Sequence, residues 1–524
     1  MYLDNLNLDY LLVNTTNQFL LEYAPIQENS CFKLTGFSGD TGDSLLTSEK
    51  EIFLFVDGRY HTQADNEVDH KKVKVVKLKL GQKQDELICD FIKPNTTLGI
   101  VAKKVSQSRY EYFKTVLSEK NVNIILLDTD IFETEKVNQN TVLKSESIDL
   151  SICGFDFSDK IKDIKKPSLF TNSEEISYLC NLRNFSQNYA SKIDGKLFIS
   201  NEQNVLFTDY KTDTIENLTV KPLKDFDNFI KNISEEICVD KSTINAYDYS
   251  IIKTPINITS PAKLMKSIKN KSELEHLKYA FEMTDKALSD TRDFIYEKEE
   301  LSEYEIDKKL EENFKKYGAK LLSFKSIIAR NQNSALAHYM NSSKTEIVKD
   351  GDLVLIDCGA YYEGGLATDI TRVFVKGEPT EKQKQVYTTV LKMFLNAFYY
   401  PVTENKTSGY EIDSYVRKYL EDNKIDNFVF SHGLGHGIGI CVHESPPNLS
   451  KNEIAKTPLK NNMCFTIEPG LYNDDFFGIR LENSCYLENG IIKSFTDMCY
   501  EKKLISFSML TEQEKEWLSE FKVL

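Results

Sequence analysis

A chain of 524 residues exceeds what one hydrophobic core accommodates, because single cores stop growing at about 250–300 residues, so at least two domains are expected. Apolar residues make up 41% and charged residues 28%, the balance of a folded globular protein and not of a disordered one. The net charge of −15, with acids interleaved among the lysines and arginines, argues against a phosphate-binding surface and so against a nucleic-acid partner.

The first residues, MYLDNLNLDYLLVNTTNQ, carry acids where a secretory leader has its basic region, and no apolar run approaches the ~18 residues of a membrane span. A cytoplasmic protein with no membrane partner is expected. The ten cysteines include no C-x-x-C pair and read as buried thiols, not as a zinc site or disulfide framework.

Residues 51–57 (EIFLFVD) and 73–80 (VKVVKLKL) have the composition of strands, and residues 85–92 (DELICDFI) that of an amphipathic helix. After a polar stretch at 138–149 a similar set returns: a helix at 173–182, then strands at 196–200 and 204–208. The first half therefore reads as two small α/β domains, 1–140 and 141–258. At 256–261 (INITSP) the character changes, and helical patterns follow at 270–297, 302–317, 380–400 and 408–422. The helix at 380 opens with T-E-K-Q, whose side chains suit a capping box. Strand-rich segments lie between these helices, so 259–524 is expected to be an α+β domain with helices covering one face of a curved sheet. The tail TEQEKEWLSEF reads as a short helix packing on its own domain.

The strands of this last domain carry acids in pairs. Residues 353–375, LVLIDCGAYYEGGLATDITRVFV, form a predicted hairpin; with its midpoint at Glu363, Asp357 and Asp369 oppose one another. Like charges across a ladder destabilise it, so the pair calls for a cation or a shared proton. Residues 463–487 repeat the pattern: Glu468 and Glu482 are symmetric about Asp475, and Arg480 projects to the same face as Glu482. Residues 432–444, HGLGHGIGICVHE, hold three histidines and four glycines. No Lys or Ser/Thr follows the glycines as a phosphate loop requires, so they are read as letting the backbone approach a crowded centre where one neutral imidazole binds a metal. Four carboxylates and a histidine form an oxygen-rich set suited to divalent manganese, cobalt, iron or zinc, and two dications cancel four negative charges. Two ions about 3.5–4 Å apart can hold a hydroxide as nucleophile and polarise a carbonyl, so hydrolysis is the expected reaction.

The segments LIDCGAYYEGGLATDITR, HGLGHGIG, TIEPG and GIRLEN resemble the signature of the pita-bread metallopeptidases, the superfamily of methionine aminopeptidase, prolidase and aminopeptidase P. The resemblance implies Asp357, Asp369, His436, Glu468 and Glu482 as ligands of two divalent ions, manganese first and zinc or cobalt as alternatives. LTGFSGDTGDSLLTSEKEIFLFVDGRYHTQA and SLFTNSEEISYLCNLRN are similar to the two creatinase-like N-terminal domains of the three-domain aminopeptidase P family, and SPAKLMKSIKNKSELEHLKYA to the first helix of its catalytic domain. The implied activity is removal of the N-terminal residue from peptides with proline second, by a homodimer.

By the same resemblance, His338 and His443 contact substrate and help move protons, and His432 lines the proline pocket. Glu468 is general base as well as ligand, and Arg480 orients the acidic ligands. A prolidase-like dipeptidase shares all five ligands, and a silent pita-bread binding module is the third reading. Two departures stand out: the stretch between Asp357 and Asp369 is one residue longer than usual, and NLRNFSQNY replaces the usual NLRG segment.

Overall fold

The computed structural model describes residues 3–79, 81–133 and 143–524. The expected boundary near residue 140, and Leu80 of the second expected strand, lie outside the described residues. The chain divides into two compact units, one of Met1–Ser147, Phe155–Leu182 and Ile193–Ala262, the other of Ile148–Gly154, Arg183–Lys192 and Lys263–Leu524.

The first unit contains the same sheet twice. Strands Val73–Lys77, Ile52–Val56, Asp43–Thr47, Tyr10–Asn14, Thr97–Val101 and Asn123–Leu127 lie side by side in that order. The second sheet runs Thr219–Lys221, Asn204–Phe207, Lys196–Ile199, Ser168–Phe170, Ile237–Val239, Pro255–Asn257. In both, the first strand in sequence is central, two antiparallel neighbours follow on one side, and the remaining pairings are parallel. The returning pattern read at 173–208 is thus the second copy of one topology, including the helix Ser173–Cys180.

In the second unit, the expected helices form as Lys271–Glu297, Glu303–Lys316, Glu381–Phe398 and Gly409–Asp422, with the tail helix at Glu512–Leu518. Thr380 and Gln383 make the reciprocal capping box that the T-E-K-Q stretch predicts, satisfying two otherwise orphaned N–H groups. Trp517 stacks on Tyr399 with ring centroids 4.8 Å apart, which keeps the tail on its own unit. None of the ten cysteines is in a disulfide, and all except Cys441 are buried.

The three-stranded sheet Ile327–Arg330, Leu353–Cys358, Ile370–Val375 is buried on both faces. Leu353 and Leu355 cluster with Val386, Val390 and Phe394 of one helix, whereas Val354 and Ile356 cluster with Leu288, Ile306 and Leu310 of the other two. A strand buried on both faces reads as an unbroken apolar run, as LVLI does, and such a run does not say how many layers cover it. Each of these aliphatic side chains contributes about 1.5–3 kcal/mol by leaving water. Asp357 and Thr371 continue the Leu355 and Val373 faces of their strands beyond this apolar core.

Candidate metal centre

The acids arrive at one place from three ladders. In the first hairpin Asp357 pairs with Thr371 and Cys358 with Ile370, and Tyr361 bridges Ala367, so the turn is centred on Gly364. The expected opposition of Asp357 and Asp369 about Glu363 is therefore wrong by two residues. Because the side-chain period of a strand is two, Asp369 stays on the same face, diagonal to Asp357. The shifted centre has a packing cause: the Gly364 N–H donates to His276 Nε2 at 3.1 Å, and a Cβ on Gly364 would lie 2.5 Å from that ring. Burial, and then the nearby Arg183 charge, push His276 down to about 4, so it serves as a neutral acceptor.

In the second hairpin Ile467 pairs with Asn483 and Gly470 with Arg480, a single offset on both sides of Glu468 and Glu482, so these two fall at opposed positions. His436 sits in the strand Gly435–Gly437. A Cβ on Gly435 would stand 2.0 Å from the Thr466 carbonyl, so the glycine before His436 is what lets this strand close on its neighbour. His436 Nδ1 lies 3.1 Å from the Gly437 carbonyl, which fixes the proton on Nδ1 and leaves Nε2 as the ligand atom. That Nε2 is 3.6 Å from Asp369 Oδ2 and 3.4 Å from Glu468 Oε1.

One ligand atom each from Asp369, His436 and Glu482 lie within 4.8 Å of one another. Asp357 and Glu482 are buried, and Asp357 Oδ1 and Glu482 Oε1 have no hydrogen-bond partner. Burial first, then the neighbouring Glu482, Asp357 and Glu468 charges, hold Asp369 well above the usual carboxylate range. Burial, then Glu468 and Asp357, does the same to Glu482. Glu468 is pushed up to about 7 by burial, with Arg480 opposing the shift. Orphaned carboxylate oxygens, mutually repelling acids and an imidazole nitrogen aimed among them fit a cation centre of oxygen and nitrogen donors.

Arg480 is the hub of the surrounding shell. Its Nη2 donates to Asp357 Oδ2 at 2.6 Å, its Nη1 to the Tyr472 hydroxyl at 2.8 Å and its Nε to Thr371 Oγ1 at 3.2 Å. The Tyr472 hydroxyl meets His432 Nε2 at 2.8 Å, while His432 Nδ1 donates to the Gly433 carbonyl. His443 stands edge-on to His436 with ring centroids 4.5 Å apart. His338 lies on a different segment, 331–343, which the fully buried Glu303 carboxylate holds through the Asn333 amide, the Tyr339 hydroxyl and the Ser343 N–H.

Tyr472, Thr371 and Glu444 were not among the residues read from the sequence. Thr371 was within reach, two positions after Asp369 on the same strand face; Tyr472 and Glu444 carry no spacing signal. Glu444 closes the loop bearing His443: its Oε1 accepts the Ile440 N–H at 2.7 Å, and its Oε2 lies 3.3 Å from Lys266 Nζ and 3.2 Å from Lys269 Nζ. Burial acts to raise Glu444, but Lys266 and Lys269 outweigh it and hold the carboxyl down to about 2. Removing one partner of such a buried cluster leaves the others uncompensated. Glu444→Gln is expected to cost about 3–5 kcal/mol in denaturant unfolding. From its folded and ordinary values of about 2 and 4.5, the stabilisation is complete above pH 4.5 and lost as pH falls towards 2. The gap between wild type and variant should therefore close across that window.

Residues 275–489 match the model of metallopeptidase family M24, and residues 2–131 and 133–273 match two models of the creatinase/prolidase N-terminal domain. Over 99% of its length the chain is 28% identical to Xaa-Pro aminopeptidase 1 of Dictyostelium discoideum, covering 90% of that protein. Over 93% of its length it is 26% identical to aminopeptidase P2 of Arabidopsis thaliana, covering 78% of it. The fold is that of X-prolyl aminopeptidase from Caenorhabditis elegans, described as a cytosolic enzyme with a di-nuclear active site: TM-score 0.90, 22% identity, 98% of this chain and 90% of that one. An Xaa-Pro dipeptidase from Bacillus anthracis matches 66% of this chain and 96% of its own, with TM-score 0.55 and 26% identity. The three-part architecture, the pita-bread catalytic part and the converging acids agree: residues 275–489 match a metallopeptidase family M24 domain that follows two creatinase/prolidase N-terminal domains, and the protein is a hydrolase.

Proposed function

We propose that this protein is an Xaa-Pro aminopeptidase that works with two divalent ions held by Asp357, Asp369, His436, Glu468 and Glu482. The observation that carries the reading is the match of 99% of the chain to an Xaa-Pro aminopeptidase, with 98% of it sharing the fold of an X-prolyl aminopeptidase against 66% for the dipeptidase, and with Asp369, His436 and Glu482 brought together in the cluster. Bound there, divalent ions would lower the pKa of a water and polarise the scissile carbonyl. Manganese suits the oxygen-rich donor set.

The chain's own groups supply the proton traffic. Glu468 Oε1 faces His436 Nε2 and Thr466 Oγ1, which leaves Oε2 to take the proton of the attacking water. Proline in the second position gives a leaving nitrogen with no hydrogen of its own, so that nitrogen must be protonated before it departs. Glu468 returns its proton for that purpose. His443 and His338 donate to the carbonyl oxygen as it gains charge. His432, with both ring nitrogens engaged by Gly433 and Tyr472, acts as a wall of the proline pocket and not as a proton donor. No helix among the described residues is long and apolar enough to cross a membrane. We place the enzyme in the cytoplasm, as a homodimer, with domains 1–140, 141–258 and 259–524.

The decisive assay compares Xaa-Pro-Yaa tripeptides with free Xaa-Pro dipeptides. Release of the first residue from the tripeptide, with the dipeptide left intact, is expected; preferential cleavage of the dipeptide would replace this reading by the prolidase one.

A further inference from the structure

Two of the four acids in the cluster share an asymmetry. Asp357 and Glu482 each have one carboxylate oxygen held by a donor and the other buried without a partner. For Asp357 the donor is Arg480 Nη2, and for Glu482 it is the hydroxyl of Thr371, at 2.8 Å. Thr371 is itself fully buried and stands directly across the ladder from Asp357.

The direction of the Thr371 hydroxyl is not optional. Arg480 Nε is a donor only, and it points at Thr371 Oγ1 from 3.2 Å, so that oxygen accepts from Arg480. The single O–H is then left to point at Glu482 Oε2, which turns Glu482 so that Oε1 faces the cluster. Along the backbone, the Glu482 N–H also donates to the Thr371 carbonyl, fixing the two residues to each other at both ends. One guanidinium thus orients ligands on two separate strands, Asp357 directly and Glu482 through a neutral hydroxyl. A second cation in Thr371's place would compete with the bound ions for the same carboxylates, whereas a hydroxyl directs one oxygen and adds no charge.

We infer that Thr371 is a positioning residue of the metal centre, whose hydroxyl relays the orientation of Arg480 to Glu482 and so sets the affinity of the site for its ions. The inference rests on the metal-dependent reading above. Donors behind a ligand are typically worth about 10–100-fold in metal affinity. Thr371→Val keeps the shape and β-branching of the strand residue and removes the hydroxyl; Thr371→Ser keeps the hydroxyl and removes the methyl.

The test is calorimetric titration of metal-free full-length protein with Mn2+, read beside kcat and KM at limiting and saturating Mn2+. Thr371→Val should weaken Mn2+ binding about 10–100-fold. Its kcat should recover at saturating metal with KM for peptide unchanged, while Thr371→Ser stays within about threefold of wild type. Wild-type affinity in Thr371→Val would overturn the inference, and so would equal losses in the Val and Ser variants, which would make the methyl the operative group. If Thr371→Val fails to fold, Thr371→Ala against Thr371→Ser isolates the same hydroxyl. Should the wild-type protein itself take up no Mn2+ or other divalent ion, the metal-dependent reading fails first; a normal wild-type titration with an unaffected Val variant sinks only the role of Thr371.

Discussion

Glu468→Gln is expected to lower kcat by about 10²–10⁴-fold, the range a positioned general base supplies, with the folded state intact. The substitution is isosteric, so it opens no cavity among the buried residues around it. It converts a group that exchanges protons into one that does not. Glu468 is suited to the task because its carboxyl stands among the acids of the cluster, 3.4 Å from His436 Nε2, within reach of a water activated there. The Thr466 hydroxyl donates to Oε1 at 3.4 Å, so the loss measures the proton exchange at Oε2 more than a change of side-chain direction. Circular dichroism should match wild type. Turnover within about tenfold of wild type would remove Glu468 from the mechanism.

Chelation is expected to abolish activity and to lower the unfolding temperature together. Asp369, Glu468 and Glu482 are each raised, first by burial and then by neighbouring carboxylates, with Arg480 acting against the rise. A cation that binds the folded chain and not the unfolded one stabilises it by mass action, about 2.7 kcal/mol at a hundred times its Kd. Removing it with a chelator should therefore appear in differential scanning calorimetry as well as in the assay. Adding back Mn2+, Co2+ or Zn2+ in turn ranks the ions by recovery of both signals, with manganese expected to restore the most activity. If no divalent ion restores either, the acids are not a metal centre.

Much of this arrangement is written in periodicity. The helices of the catalytic half announce themselves through 3.6-residue spacing and capping boxes, and the acid pairs through their symmetry about a turn. For Glu468 and Glu482 that symmetry transfers directly into register. For Asp357 and Asp369 it does not, because the position of the turn depends on His276, a residue about 90 positions away that the sequence offers no reason to place against Gly364. Period-two alternation protected the conclusion, since a slip of two leaves both aspartates on one face. A slip of one would have separated them. Glu444 was invisible for the same reason as His276: its lysine partners lie about 175 residues upstream, and ion pairs of that span leave no local trace. The two-sided burial of the central sheet was hidden because the apolar run LVLI has the same appearance whether one layer or two covers it.

The compact units also bear on how the chain can be divided. Ile148–Gly154 and Arg183–Lys192 lie in sequence among the N-terminal domains yet fold with Lys263–Leu524, where Ser191 donates to the Gly365 carbonyl at 2.7 Å and Arg183 lies against the same glycine. The polypeptide therefore crosses between units at several places, and a single cut near residue 262 would strip the catalytic half of two stretches that fold with it. Excision at that point is expected to expose the Gly364–Gly365 turn, close in sequence to Asp369, and so to loosen the acid cluster in the isolated fragment.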